Sequence, residues 1–300
     1  MLPDNRADEG KCRNALRQAG RLRCTAKLRA MILASPSPLG VALGIATAAA
    51  YGIAGAAATR LNRSATQWLL GLAWLLHAAT LACGLAGGQP RFGFAPALSV
   101  TAWLVLTVYA VESRLYPHLS VRRVLPALGA LAVMLAIAFP GGPLHVSASP
   151  WLPLHLALGI ASYGLFAAAV VHAWLMSRAE KQIRRASAGD PAGGVPLLTL
   201  ERLTFRFVSG GFVLLTATLA AGFLFSEVLY GTSVRAWKWD HKTVFSLLAW
   251  LTFGVLLIGR ARFGWRGRAA TRVLYMGSVL LLLAYVGSRF VLEVVLHRAV

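Results

Sequence analysis

The sequence predicts an all-α, polytopic membrane protein of about eight transmembrane helices. Composition is the first reason. The 300-residue chain is 57% hydrophobic and 13% charged, whereas soluble proteins carry about 25% charged residues. The second reason is the length of its apolar windows. Several reach the roughly 20 residues that a bilayer-spanning helix needs. They are continuous rather than alternating, which argues against a β-barrel. The third reason is where the cations sit. Lys and Arg crowd into a tail and into the segments between apolar windows, where they orient a membrane protein and meet anionic headgroups. The formal net charge of +20 therefore points to the lipid bilayer as partner and not to nucleic acid.

The windows fall at 39–58, 67–87, 96–112, 124–140, 152–177, 206–230, 243–259 and 271–296. The fourth is the shortest in effect, because Pro126 and Pro140-Gly141-Gly142-Pro143 bound it. Pro and Gly clusters at 35–38, 87–96 and 140–153 read as loops. The stretch 178–204 reads as the longest polar connection.

Connections after odd-numbered spans carry Arg60, Arg63, Arg114, Arg122, Arg123, Arg178, Lys181, Arg184, Arg185, Arg202, Arg260, Arg262, Arg266, Arg268 and Arg272. Connections after even-numbered spans carry only Arg91, Arg235, Lys238, Lys242 and Arg298. The positive-inside rule puts the odd connections in the cytoplasm and the loop 231–242 outside. The basic tail 1–30 runs against that orientation, with Arg6, Lys11, Arg13, Arg17, Arg21, Arg23, Lys27 and Arg29. Met31 reads as the natural start, since Met31-Ile32-Leu33 leads directly into the first span. Residues 31–300 then form one transmembrane domain. No secretory cleavage site follows an early apolar region. Cys12, Cys24 and Cys83 form no Cys-x-x-Cys, so neither a thiol-redox pair nor a zinc knuckle is expected.

Ionisable groups inside a bilayer are costly, and each is a functional candidate. His77 lies mid-span. It reads either as a haem ligand through a neutral ring nitrogen or as a histidine hydrogen-bonded to a neighbouring helix. His155 opens the fifth span, and Gly159, Ser162 and Phe166 follow on its face at about 100° per residue. That stripe could take a flat ligand or a close helix–helix seam. His172 stands about 25 Å further along the axis and reads as an interfacial, snorkelling residue. In the last span, Arg289, Glu293 and His297 recur at i, i+4 and i+8 on one face. They read either as a cation, an acid and a ligating imidazole, or as a snorkelling Arg neutralised by Glu with His297 among headgroups. His118 and His145 are loop residues with no assigned part.

The densest polar cluster is Trp237-Lys238-Trp239-Asp240-His241-Lys242. Belt tryptophans are ordinary at an interface, but two indoles around one Lys exceed what a belt requires. Followed by Thr243, Val244-Phe245-Ser246, Trp250 and Arg260, this segment resembles the tryptophan-rich signature of the cytochrome c assembly proteins of the CcsA/ResC/CcmC type. That signature runs roughly W-G-x-x-W-x-W-D-P-K-E, with a later Trp and an Arg closing the next helix. Trp237, Trp239, Asp240, Lys242 and Trp250 match it. A nearer resemblance, to the YpjD-like inner-membrane subgroup, extends over almost the whole chain after Met31. It includes Leu76-His77-Ala78, Leu154-His155 through Ser162-Tyr163, Leu200-Glu201-Arg202, Gly264-Trp265-Arg266-Gly267-Arg268 and Ala284-Tyr285 through Ser288-Arg289.

The resemblance implies a haem-handling inner-membrane protein that presents haem at the outer, periplasmic face, with other cytochrome c maturation components as partners. It implies Trp237 and Trp239 as a stacking platform beside Asp240. It implies His155 and His297 as axial ligands of the haem iron, the latter by position only, and His77 as the candidate for a second, membrane-embedded haem site. Arg289 and the loop lysines would pair with propionates. No catalysis is expected on this chain, since attachment to an apocytochrome needs thiols and a partner. The sequence departs from the signature at His241, where the family has Pro, at Thr243, where it has Glu, and in one missing upstream Trp. Two other readings stand beside it. One is a metal-ion or small-solute transporter or accessory subunit using His77, Glu227 and Glu293. The other is a ligand-free structural partner in a larger membrane assembly.

Overall fold

The computed structural model describes residues 38–57, 60, 62–86, 91–115, 124–143, 151–185, 197–225 and 240–296. Eight helices follow in chain order: α1 (Pro38–Ala56), α2 (Arg63–Ala86), α3 (Phe94–Leu115), α4 (Val124–Ala138), α5 (Leu152–Arg185), α6 (Leu197–Leu224), α7 (His241–Phe263) and α8 (Gly267–Val295). Seven are long and apolar enough to cross a membrane. α4 is the exception. Its 15 residues rise about 22 Å, short of a bilayer's roughly 30 Å apolar core. The chain is a polytopic helical membrane protein, as its composition predicts. Basic tail 1–30, Trp237, Trp239, Glu227, His118, His145 and His297 lie outside the described residues.

Two helix boundaries differ from the sequence reading. α5 continues to Arg185 and α6 begins at Leu197. Most of the expected polar connection 178–204 is therefore helix. Its Lys, Arg and Glu residues are good helix formers, so the helices run on past the apolar windows. Pro96 falls in the first turn of α3, where its missing N–H costs nothing. A two-residue antiparallel ribbon was also not foreseen. Arg91 pairs with Pro143 and Phe92 with Gly142, which ties the α2–α3 connection to the one after α4.

The helices pack as two groups. One surrounds Tyr51, Ala73, Leu106 and Leu125, from α1 to α4. The other surrounds Phe166, Val208, Phe253, Leu256 and Leu274, from α5 to α8. α5 joins them, since its Ala167, Val171 and Leu175 pack on the first cluster. Phe94, Ala95 and Val286 make a further contact between α3 and α8. Within the second group Phe166 and Phe253 stack with centroids 3.7 Å apart. Large apolar side chains such as Trp68, Leu131, Ile258 and Phe263 remain exposed, as a lipid-facing surface requires.

Without water, helices associate through close packing and hydrogen bonds across the seam. Small residues supply the closeness. A Cβ on Gly277 would lie 2.8 Å from a Phe253 ring carbon, and one on Gly164 would lie 2.8 Å from Leu104. α8 also leaves α-geometry twice, in π turns at Leu283–Gly287 and Val291–Val295. A π turn inserts a residue and loosens the backbone ladder. Just before the first turn, the Leu281 carbonyl accepts a hydrogen bond from the Tyr163 hydroxyl of α5.

Gly277→Ala should lower stability by about 1–3 kcal/mol, because the added methyl meets the packed Phe253 ring. Gly52→Ala, which meets nothing within 4 Å, should be neutral or stabilising by up to about 1 kcal/mol. Thermal unfolding of both variants in one detergent distinguishes them; equal midpoints would contradict the packing argument.

Candidate functional site

Alternating helix direction gives the bundle two ends. One carries the start of α5, α7 and α3 and the finish of α8, and is called here the His155 end. The other carries the finish of α7 and is called the Arg260 end.

At the His155 end, Asp240 is the N-cap of α7. Its carboxylate accepts the Thr243 backbone N–H at 2.9 Å and the Thr243 hydroxyl at 3.0 Å. An N-cap oxygen satisfies a donor that the first turn leaves open. Asp240 therefore fixes where the Trp-rich segment ends and the helix begins. Lys242 is the second residue of the helix, within electrostatic range of Asp240, Arg289 and Glu293. Arg289 and Glu293 stand one turn apart on α8, Nη1 to Oε1 3.9 Å, with their side chains 20% and 15% exposed. This is a loose pair, beyond hydrogen-bond length.

The ribbon and the start of α3 enclose Glu293. The carboxylate takes a hydrogen bond from the Phe94 backbone, so an acid from α8 serves the open N-terminus of α3. Gly93 permits this approach. A Cβ there would lie 2.9 Å from both Glu293 oxygens and 2.8 Å from the Gly141 Cα. Gly141 has φ +76°, a left-handed conformation suited to glycine. Aromatic rings pack beneath: Phe94 lies edge-on to Phe290, and Phe92 lies against Tyr285. Within this cluster, Arg289 Nε and Glu293 Oε1 are buried without hydrogen-bond partners among the described residues. Native structures rarely leave such atoms unsatisfied.

His155 lies at the first turn of α5, against Gly222 of α6, whose added Cβ would sit 3.5 Å from its ring. The stripe beneath it is a helix–helix seam. Ser162 donates to the Gly211 carbonyl at 3.1 Å, Gly159 faces Thr218, and Phe166 faces Gly211. α6 fills the space that a flat ligand along the stripe would need.

His77 is fully buried between α1 and α3. One ring nitrogen is 3.3 Å from the Tyr51 hydroxyl and the other 2.9 Å from the Ser99 hydroxyl. Both nitrogens are engaged, which is the hydrogen-bonded alternative from the sequence. A ligating role would require breaking one of these contacts.

The snorkelling reading of His172 is corrected by the structure. The residue is 4% exposed, its Nδ1 is 2.7 Å from the Ala168 carbonyl, and its Nε2 is 2.8 Å from Glu112 Oε2. α5 runs thirteen residues beyond it to Arg185, so His172 is not near a helix end. Glu112 escaped notice in the sequence. The available signal was an acid within an apolar span, and its partner is sixty residues away. A cavity of about 10 Å³ is lined by both residues, and Glu112 Oε1 has no hydrogen-bond partner among the described residues. Such a space is near the minimum for one water molecule.

The site candidates thus divide. Asp240, Lys242, Arg289 and Glu293 come together, and His155 lies at the same end. His77 sits apart in the α1–α3 core. Trp237, Trp239 and His297 are outside the described residues. Among the described residues no group of three or more His, Cys, Asp or Glu could hold a metal ion.

Comparison with known proteins gives this arrangement its context. Residues 64–296 match the family of cytochrome C assembly proteins. The chain belongs to that family. The inner membrane protein YpjD of Escherichia coli K12 is 32% identical over 151 residues, 50% of this chain and 56% of that protein. An uncharacterized 28.8 kDa protein of Azospirillum brasilense is 30% identical over 248 residues, 82% of this chain and 83% of its own length. The cytochrome c biogenesis protein CcsA of Prochlorococcus marinus is 27% identical over 164 residues, 47% of this chain and 51% of that protein. The chain thus spans about half the length of YpjD and CcsA. No solved structure matches it.

The Glu112–His172 contact predicts a double-mutant pattern. Glu112→Leu alone leaves the imidazole Nε2 without its partner in the core and should cost about 3 kcal/mol, whereas Glu112→Leu with His172→Phe should recover most of that loss. Thermal unfolding of the single and double variants checks this; a double variant no better than the single would remove the pairing from the account.

Proposed function

We propose that this chain is an inner-membrane component of cytochrome c assembly that handles haem at the His155 end. The observation that carries the reading is that buried Arg289 Nε and Glu293 Oε1, beside Lys242, find no hydrogen-bond partner among the described residues. A guanidinium with a spare donor next to an ammonium suits a carboxylate, and such charge-assisted bonds are the strong ones. The haem propionates are carboxylates of this kind. Glu293 Oε1 lacks a donor, which the second N–H of a ligating imidazole would supply. His297 follows Glu293 by four residues and is the candidate for that imidazole.

In this reading His155 and His297 provide ring nitrogens for the haem iron, while Trp237 and Trp239 stack on the porphyrin. Arg289 and Lys242 hold the propionates. Asp240 acts by positioning, through the α7 cap. The haem would supply iron–ligand chemistry; the chain supplies binding and orientation, and transfer to an apocytochrome falls to maturation partners. The positive-inside distribution of Lys and Arg favours a periplasmic His155 end. Family membership and the name of the CcsA relative support the cytochrome c connection. His77 keeps a structural part among Tyr51 and Ser99.

Protein purified in detergent after expression with haem supplied should show a Soret band and a positive pyridine haemochrome assay. His155→Ala should shift the spectrum. Arg289→Gln should weaken haem retention roughly tenfold or more, since a hydrogen bond to a charged group contributes about 1.5–3 kcal/mol. Folded protein without haem would overturn the reading, and an unchanged His155→Ala spectrum would move the ligand elsewhere.

A further inference from the structure

Two sequence runs left without a part by the haem reading meet at the Arg260 end. Leu200-Glu201-Arg202 lies in α6, and Gly264-Trp265-Arg266-Gly267 turns α7 into α8. Arg260 of α7 is ion-paired with Glu201 and donates to the Trp265 carbonyl at 3.4 Å. Arg266 Nε is 3.7 Å from the same Glu201 carboxylate. Trp265 packs on Gly259, and Gly264 closes the helix in the left-handed conformation at φ 63°.

Beside it is an open cavity of about 500 Å³, lined by Arg202, Arg206, Arg260 and Arg266 with Glu201, Ser209, Leu198 and Phe205. Four guanidinium groups face one carboxylate, so three positive charges are uncompensated. Arg202 and Arg206 are one helical turn apart, a spacing at which like charges repel. No carboxylate among the described residues pairs with either. Arg260 lies 4.5 Å over the Phe205 ring, which holds its planar fork in place. Arginine forks match the oxygen geometry of phosphate. Leu198 and Phe205 flank Arg202 on the same face of α6, and Leu198 is 72% exposed.

We propose that this cavity binds a phosphate-bearing anion, its charged group held by Arg202, Arg206 and Arg266 and its apolar portion laid against Leu198 and Phe205. The amphipathic lining fits the headgroup and upper acyl chain of an anionic phospholipid. A soluble phosphate ester shares the same charged chemistry. Arg202 and Arg206 supply the attraction. Arg260 and Glu201 supply the frame, since Glu201 is occupied by its two arginines and does not face the anion alone.

The test uses the full chain in a neutral detergent and native mass spectrometry with phosphatidylglycerol, phosphatidylcholine or glycerol 3-phosphate. Phosphatidylglycerol should be retained at least about fivefold better than phosphatidylcholine. The double variant Arg202→Gln/Arg206→Gln should lose that preference by about fivefold or more, because each basic residue near an anionic surface contributes about 1 kcal/mol. Arg272→Gln, an exposed arginine outside the cavity, should leave it unchanged. Arg202→Lys/Arg206→Lys should keep part of it, since charge remains and the fork is lost. If millimolar glycerol 3-phosphate displaces the lipid, the ligand is a soluble phosphate ester; if it does not, the ligand is the lipid headgroup. Either result upholds the phosphate site. Equal retention of the two lipids, or an unaffected glutamine double variant, would overturn it. Haem spectra are not part of the readout, so this proposal can fail independently of the haem reading.

Discussion

A bilayer interior offers no water to a polar group, so each one must find its partner inside the protein. That constraint organises the whole bundle. The Tyr51 hydroxyl, His77 and Ser99 tie α1, α2 and α3. Trp74 donates to Thr107 at 2.8 Å, adding to the α2–α3 seam. Glu112 and His172 tie α3 to α5. Ser162 ties α5 to α6, Tyr163 ties α5 to α8, and Trp250 reaches Thr216 of α6 at 2.9 Å. Lipid is as apolar as leucine, so burial alone cannot set the vertical register of one helix against the next. These polar contacts can, because a shift by one turn would strand both members of a pair.

Against that background the unsatisfied atoms are informative by their location. The seams through the middle of the bundle are largely closed by hydrogen bonds. The Arg289–Glu293 pair is not, although it is mostly buried and the same helix supplies both residues. The π turns of α8 lie on either side of Ser288–Phe290, and Arg289 emerges between them. From that segment Glu293 reaches the Phe94 backbone, and Arg289 and Glu293 both come within electrostatic range of Lys242. Gly93 and Gly141 keep the covering ribbon close. The end of α8 is thus shaped for polar contact, whereas the rest of its length is shaped for packing.

Much of this was legible in the sequence, and the remainder was hidden for identifiable reasons. Apolar windows located every span, because hydropathy reports the dominant constraint. They misplaced the start of α6 and the end of α5, because a helix that leaves the bilayer continues on propensity after its apolar run stops. The i, i+4 spacing brought Arg289 and Glu293 together as expected, but no periodicity reveals a π turn. His172 looked interfacial when counted from His155 along an assumed short helix. Its true setting depends on Glu112, and pairing between residues sixty apart is a tertiary fact. The seam below His155 was visible as a small-residue stripe, yet only the facing Gly211, Thr218 and Gly222 decide that a helix occupies it.

The altered residues of the Trp-rich signature take on a different meaning once Asp240 is seen as a helix cap. In the order Asp-Pro-Lys-Glu, Asp stands at the N-cap, Pro at the first helical position and Glu at the third. Those are favoured places for each residue in a helix start. Here His241 and Thr243 occupy the first and third positions of α7. Thr243 still offers its backbone N–H to Asp240 and adds its hydroxyl to the same oxygen. The substitutions therefore change how the helix start is secured and keep where it is secured. Trp239 remains the residue before the cap, and Trp237 stands two before that. The consequence for the proposed haem platform is specific. Loss of Pro and Glu exchanges a pre-set φ and a reciprocal cap for a threonine side-chain bond, while the indoles keep their spacing from the fixed point. What the shortened segment alters is the number of indoles on offer to the proposed platform, with one upstream Trp fewer. A weaker platform with the same anchor is the physical expectation, and Lys242, at the second position of the helix beside Arg289 and Glu293, keeps its place in the charged part of the site.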